Sequence, residues 1–168
     1  MNKFKEKIKE YITKFNFKIE HKNSWYKRQE HYISEISKKE LDLIKQIGNY
    51  SMSTPANHWA IIQAMKHIKK KNIDGDIIEC GVFKGGNLIL FKKMINELEL
   101  NKKVYAYDTF EGMPLPSHSD VDLKDIDAKK IYEKYKSKNI GWCFSSINDV
   151  KDNIKKFGYE INDSFKLI

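Results

Sequence analysis

Ile77-Ile78-Glu79-Cys80-Gly81-Val82-Phe83-Lys84-Gly85-Gly86 is the stretch that decides the fold of this chain. Ile77 to Cys80 is a short, mostly apolar strand, and Gly81, Gly85 and Gly86 follow at once. From Asn87 to Leu98 the pattern turns helical, with Leu88, Phe91 and Ile95 on the inward face. Asn101-Lys102-Lys103 turns the chain, and Val104 to Tyr107 reads as a second strand ending at Asp108. Strand, glycine-rich loop, helix, strand and acid, in that order, open a parallel α/β nucleotide-binding unit.

Upstream, Asp74-Gly75-Asp76 is a turn. Ser53-Thr54-Pro55 predicts a helix start, a hydroxyl cap followed by proline at the first helical position. That helix offers Ile61, Met65 and Ile68 to a core, with Trp59 and Ile62 nearby, and ends in Lys69-Lys70-Lys71, which suits a helix C-terminus. Residues 1–49 carry two further helical stripes, Phe4/Ile8/Tyr11/Phe15 and Ile33/Ile36/Leu43/Ile47. A lid, an oligomer arm and packing within the chain all fit that front section. Downstream, helices are expected from Ala128 to Tyr135 and from Asn148 to Phe157, and Phe165 to Ile168 begins a third strand. The expected architecture is α/β: a helical extension over 1–49, then a partial Rossmann-like domain over 50–168. Its parallel sheet is truncated after about three strands.

Composition narrows the function. A chain of 168 residues suits one domain with a real core. No apolar run reaches membrane-spanning length, and the N-terminus lacks a signal-peptide pattern. Cys80 and Cys143 are too few and too far apart for a disulfide framework or a zinc site, so they read as reduced, core-filling thiols of a cytoplasmic protein. The formal charge of +8 invites a nucleic-acid reading, but the lysines are spread along the chain and Arg28 is its one arginine. Base recognition favours arginine, so a solvated basic surface is the better account.

The loop chemistry points to a ligand class. Glycines let a ligand approach the backbone, and the following helix N-terminus offers free N–H groups. The loop is neither GxGxxG nor a phosphate-binding loop ending in lysine and serine or threonine. Glu79 would repel a polyphosphate and suit an ammonium group. Asp108, at the second strand end, can accept hydrogen bonds from ribose hydroxyls. A ligand with a ribose, an amino-acid moiety and no phosphate matches better than NAD or ATP, and S-adenosylmethionine is such a ligand. The alternative is that Gly81 and Gly85 only shape a tight turn. Asp120, Asp122, Asp125 and Asp127 lack the glycine and closing glutamate of a calcium loop. His118 is a lone histidine without an orienting partner, and His58 and His67 are too far apart for a helical metal pair.

Three blocks together resemble the macrocin O-methyltransferase family: Tyr50-Ser51-Met52-Ser53-Thr54-Pro55, Gly75 to Gly86, and Tyr107-Asp108-Thr109-Phe110-Glu111-Gly112-Met113-Pro114. Asp120-Val121-Asp122 and Trp142-Cys143 are similar to its pattern as well. The resemblance implies methyl transfer from S-adenosylmethionine to a sugar or similar polar hydroxyl on a small-molecule, glycosylated acceptor. It implies that the Glu79–Gly86 loop, with Gly81, Gly85 and Gly86, cradles the methionine end and that Asp108 holds the ribose. Thr109 and Phe110 would shape the pocket wall and Ser53 would help close the site. It also implies a homo-oligomer.

The resemblance further implies Mg2+, held by carboxylates at later strand ends. Those blocks are not in the sequence, which stops near the third strand at Lys166-Leu167-Ile168. The expectation is therefore a catalytically incomplete chain, with weak cofactor binding and no magnesium-dependent turnover unless a companion chain supplies the rest. The alternative is a non-catalytic partial Rossmann-like domain that binds a nucleoside or a partner chain.

Overall fold

Three strands lie side by side: β1 (Ile77–Cys80), β2 (Val104–Tyr107) and β3 (Phe165–Leu167), in the order β1-β2-β3, with both pairings parallel. A computed structural model of the protein describes residues 35–121, 125–137 and 141–168. The stripe Phe4/Ile8/Tyr11/Phe15, together with Ile33 and Asp122, lies outside the described residues. Around the sheet run α1 (Lys38–Ile47), a short 3₁₀ turn (Gly48–Tyr50), α2 (Pro55–Lys71), α3 (Gly86–Glu97), α4 (Ala128–Lys136) and α5 (Ile147–Lys156). The expected α/β architecture with a small open parallel sheet and leading helices is the one found.

The register explains which side chains meet. Ile77 pairs with Val104, Glu79 with Ala106, and Val104 with Phe165. Side chains alternate across a strand, so these residues share one face. Ile77, Val104, Ala106 and Phe165 are buried there. Helix α3 packs on β2 and also against α1 and α2. That central place is why Leu88, Ile89, Leu90, Met94 and Ile95 are all buried, more of its circumference than one stripe would need. Phe91 is only half-buried. The opposite sheet face carries Ile78, 64% exposed, with Cys80 and Tyr107 also exposed. Cys80 is therefore not the core-filling thiol that its strand position suggests. Parallel sheets are normally covered on both faces, and here one face is open among the described residues.

Helix boundaries follow local chemistry. Thr54 caps α2 by accepting the Asn57 N–H, and Pro55 takes its first position. The left-handed Asn72 closes it after the three lysines. Its core stripe is Pro55, His58, Ile62 and Met65, one position from that expected, with Ile61 and Ile68 half-buried. Ser37 and Glu40 form a capping box on α1, and Glu40 also accepts from Gln63 and Lys66 of α2. Ile44 and Ile47 of α1 are fully buried. The described part of the front section is thus packing within the chain. Ser146 and Asp149 box the start of α5 in the same way.

Candidate functional site

Glu79 is the first consequence of the register. It sits on the helix-covered face with Ile77, so its carboxylate points where a core residue would. Asn87, in the first turn of α3, donates its side-chain N–H to Oε1 at 2.9 Å. Oε2 is shielded from water and has no partner. Burial pushes the carboxyl up from the ordinary 4.5 to about 7; the Asn87 hydrogen bond opposes the rise and the nearby Asp108 charge adds to it. His58, on the buried stripe of α2, is fully enclosed, with no hydrogen-bond partner at either ring nitrogen. Burial drives its pKa down to about 4, and the neighbouring Asn87 offsets this only in part. It is a neutral core imidazole. Its spacing from Ile62 and Met65 is the sequence signal that could have placed it there.

Asp108 works on the backbone. One carboxylate oxygen accepts the N–H groups of Val82 (2.6 Å) and Phe83 (3.2 Å), and the other accepts that of Phe110 (2.8 Å). A single carboxylate at the end of β2 thereby ties down the glycine loop and its own following turn. Each carboxylate oxygen has more than one acceptor site, so a ribose hydroxyl can share it. Phe83 and Phe110 both adopt left-handed backbone conformations within these turns.

The glycines divide by role. A Cβ on Gly81, at φ +85°, would meet nothing within 4 Å, so its front is open space. A Cβ on Gly86 would lie 2.7–2.8 Å from Ser51 Cβ and the Tyr50 carbonyl, so this glycine admits the segment before α2 against α3. Gly85 faces Val150 and Ile154 of α5. Only Gly81 of the three leaves room for a ligand.

A cavity of about 450 Å³ gathers Ser53, Glu79, Gly81, Asp108 and Thr109, which were expected at one site. Gly85, Gly86 and Phe110 are not among its lining residues. Asn87, Ser51, Met113 and Cys143, which no sequence signal marks as site residues, also line it. Met113 is placed by donating its N–H to the Trp142 carbonyl at 2.9 Å. A Cβ on Gly112 would fall 2.8 Å from that same oxygen. This close approach joins the Asp108–Pro114 turn to the Trp142-Cys143 segment. Beyond Met113 a second cavity of about 340 Å³ is walled by Pro114, Leu115, Pro116, Val121, Ile131 and Trp142, with Asp120 and Ala128 completing it.

The acids between 120 and 127 serve local structure where they are described. Asp120 accepts from the Ser117 backbone and hydroxyl, and Asp127 caps α4. His118 is exposed. Among the described residues no three metal-ligand side chains converge, so no divalent ion is assigned to them.

A family model described as "Macrocin-O-methyltransferase (TylF)" matches residues 2–168. The chain belongs to the macrocin O-methyltransferase family. Among solved structures, that of the O-methyltransferase NovP superposes with a TM-score of 0.53 at 20% identity, over 70% of this chain and 46% of that one. At that identity the likeness shows the fold alone, and the chain spans about half the length of NovP; the cofactor, S-adenosylmethionine, is supported at the level of the family. No curated protein matches the sequence. No helix among the described residues is long and apolar enough to cross a membrane.

Proposed function

We propose that this chain forms the S-adenosylmethionine-binding part of an O-methyltransferase acting on a sugar or similar polar hydroxyl. One observation carries the reading: a cavity with an unpartnered buried carboxylate oxygen at Glu79, open backbone at Gly81 and a strand-end carboxylate at Asp108. A buried carboxylate oxygen without a partner favours a cation, and the amino-acid end of the cofactor brings an ammonium. Gly81 lets that end lie against the backbone. Asp108 accepts from a ribose hydroxyl while holding the loop. Ser53 and Thr109 line the remaining wall. The bound cofactor supplies a methyl group on a positively charged sulfur.

In this reading a companion segment or a second copy brings the carboxylates for Mg2+ and the acceptor, since no three metal-ligand side chains converge among the described residues. The test is titration with S-adenosylhomocysteine followed by amide NMR. Shifts at Gly81, Val82, Phe83 and Asp108 are expected at millimolar ligand, and their absence would overturn the reading. A methyl-transfer assay with sugar-hydroxyl acceptors separates this from a non-catalytic nucleoside-binding domain.

A further inference from the structure

Asn87 makes more of the site's polar contacts than its helical position requires. One side-chain N–H goes to Glu79 Oε1 (2.9 Å), another contact reaches Ser53 Oγ (3.3 Å), and Oδ1 accepts from the Ser51 hydroxyl (3.3 Å). Ser51 Oγ in turn accepts the Ser53 N–H at 3.0 Å. One amide thus joins the end of β1, the first turn of α3 and the segment entering α2. Helix formation does not select asparagine here, since alanine is the better helix former. Gly85 rather than Asn87 holds the N-cap position of α3. What asparagine alone offers at this length is a donor and an acceptor on one planar group. An aspartate would set a second charge against Glu79, and a serine is shorter by the amide. We propose that Asn87 is a positioning residue whose amide fixes Glu79 Oε1 and the Ser51–Ser53 segment together, leaving the other carboxylate oxygen to receive the ammonium group of an amino-acid-bearing ligand. This rests on the cofactor reading above and adds the residue that makes the carboxylate selective.

The experiment has one arm without ligand and one with it. In the first, the Glu79 carboxyl is titrated by carbon-detected NMR in the parent, Asn87→Ala and Asn87→Asp chains. The nearby charge on Asp108, just after β2, and His58 of α2, which neighbours Asn87, are left intact. Loss of the amide donor should move the Glu79 midpoint upward in Asn87→Ala and further in Asn87→Asp, while the amide spectrum of the β2–β3 core stays unchanged. In the second arm, S-adenosylhomocysteine is compared with its deaminated analogue. Asn87→Ala should weaken the first about tenfold, the order expected for one charge-assisted contact. It should change the second less than about twofold. Equal losses for both ligands, or an unmoved Glu79 midpoint, would overturn the role of Asn87. If the parent binds neither ligand, the cofactor reading fails and the ligand half of this proposal falls with it. The titration arm then still decides whether Asn87 holds Glu79. Should Asn87→Ala unfold, Asn87→Leu, close in size and without donor or acceptor, carries both arms.

Discussion

Glu79→Gln tests the site without any ligand. The parent carboxyl has a pKa near 7 in the folded protein and an ordinary value of 4.5, which corresponds to about 3 kcal/mol against ionisation on folding. The side chain lies largely out of water, so little of that is lost to solvent screening. Because the folded value is raised, the protonated carboxyl is the one the fold tolerates. Below the unfolded value, both states are protonated and no stability is lost. As pH rises from 4.5 toward 7, the unfolded chain ionises and the folded chain resists, so stability falls; above 7 the loss is complete. Glutamine keeps an oxygen to accept from Asn87 but puts an unpartnered N–H2 where Oε2 was. That costs about 1–3 kcal/mol at every pH. The decisive quantity is therefore the pH dependence of the difference between variant and parent. Urea unfolding followed by tryptophan fluorescence should show the variant gaining about 2.5 kcal/mol on the parent between pH 5 and pH 8. Other carboxylates titrate alike in both chains and cancel. Parallel stability profiles, within about 0.5 kcal/mol across that range, would refute the claim that Glu79 is an enclosed carboxylate.

Asp108→Ala strips acceptors from three backbone N–H groups, and urea unfolding should register a loss of at least about 2 kcal/mol. Gly86→Ala forces a Cβ into the Tyr50–Ser51 backbone and should cost about 1–3 kcal/mol by the same measurement. Gly81→Ala meets no atom, so its effect should be the left-handed strain of about 1–2 kcal/mol together with loss of the S-adenosylhomocysteine amide shifts; retention of those shifts would show that no ligand approaches there. A thiol reagent should label Cys80, exposed on the open sheet face, before the half-buried Cys143, whose pKa burial raises; mass spectrometry of a partial reaction reads the order. Light scattering should report a dimer or larger species, and monomer alone at high micromolar concentration would count against a second copy as the source of the missing carboxylates.

The strand–loop–helix–strand frame was legible because each piece carries its own signal: Thr54-Pro55 for a helix start, the Ile77–Cys80 run, the glycines and a strand-end acid. Even the departure of α2 by one position has a plain cause. Periodicity ranks apolar residues, and the buried stripe there includes His58, which hydrophobicity does not count. Glu79 and Asp108 stand out in the sequence by chemistry and place, but their hydrogen-bond partners do not. Asn87 and Ser51 come together through tertiary packing across 36 residues, which no local pattern encodes. Gly86 illustrates the opposite failure. It belongs to the glycine cluster by sequence, yet its missing side chain answers to Tyr50 and not to a ligand. The exposure of Cys80 depended on whether anything covers the second face of the sheet, which a strand pattern alone leaves open.

The hold that Asp108 keeps on the Val82 and Phe83 N–H groups has a consequence for competition inside a cell. Helix-leading loops of this kind attract phosphates by presenting free backbone donors. Here two of those donors are already satisfied by the protein's own anion, which also adds a negative charge beside them. A nucleoside triphosphate or a dinucleotide arriving at the loop would have to displace a carboxylate already in hydrogen-bonding position and then sit next to it. Discrimination against such abundant adenine-bearing molecules therefore needs no contact with the base they share with the proposed ligand. It follows from a loop in which two of the donors nearest the strand end are already filled from within, beside a fixed negative charge.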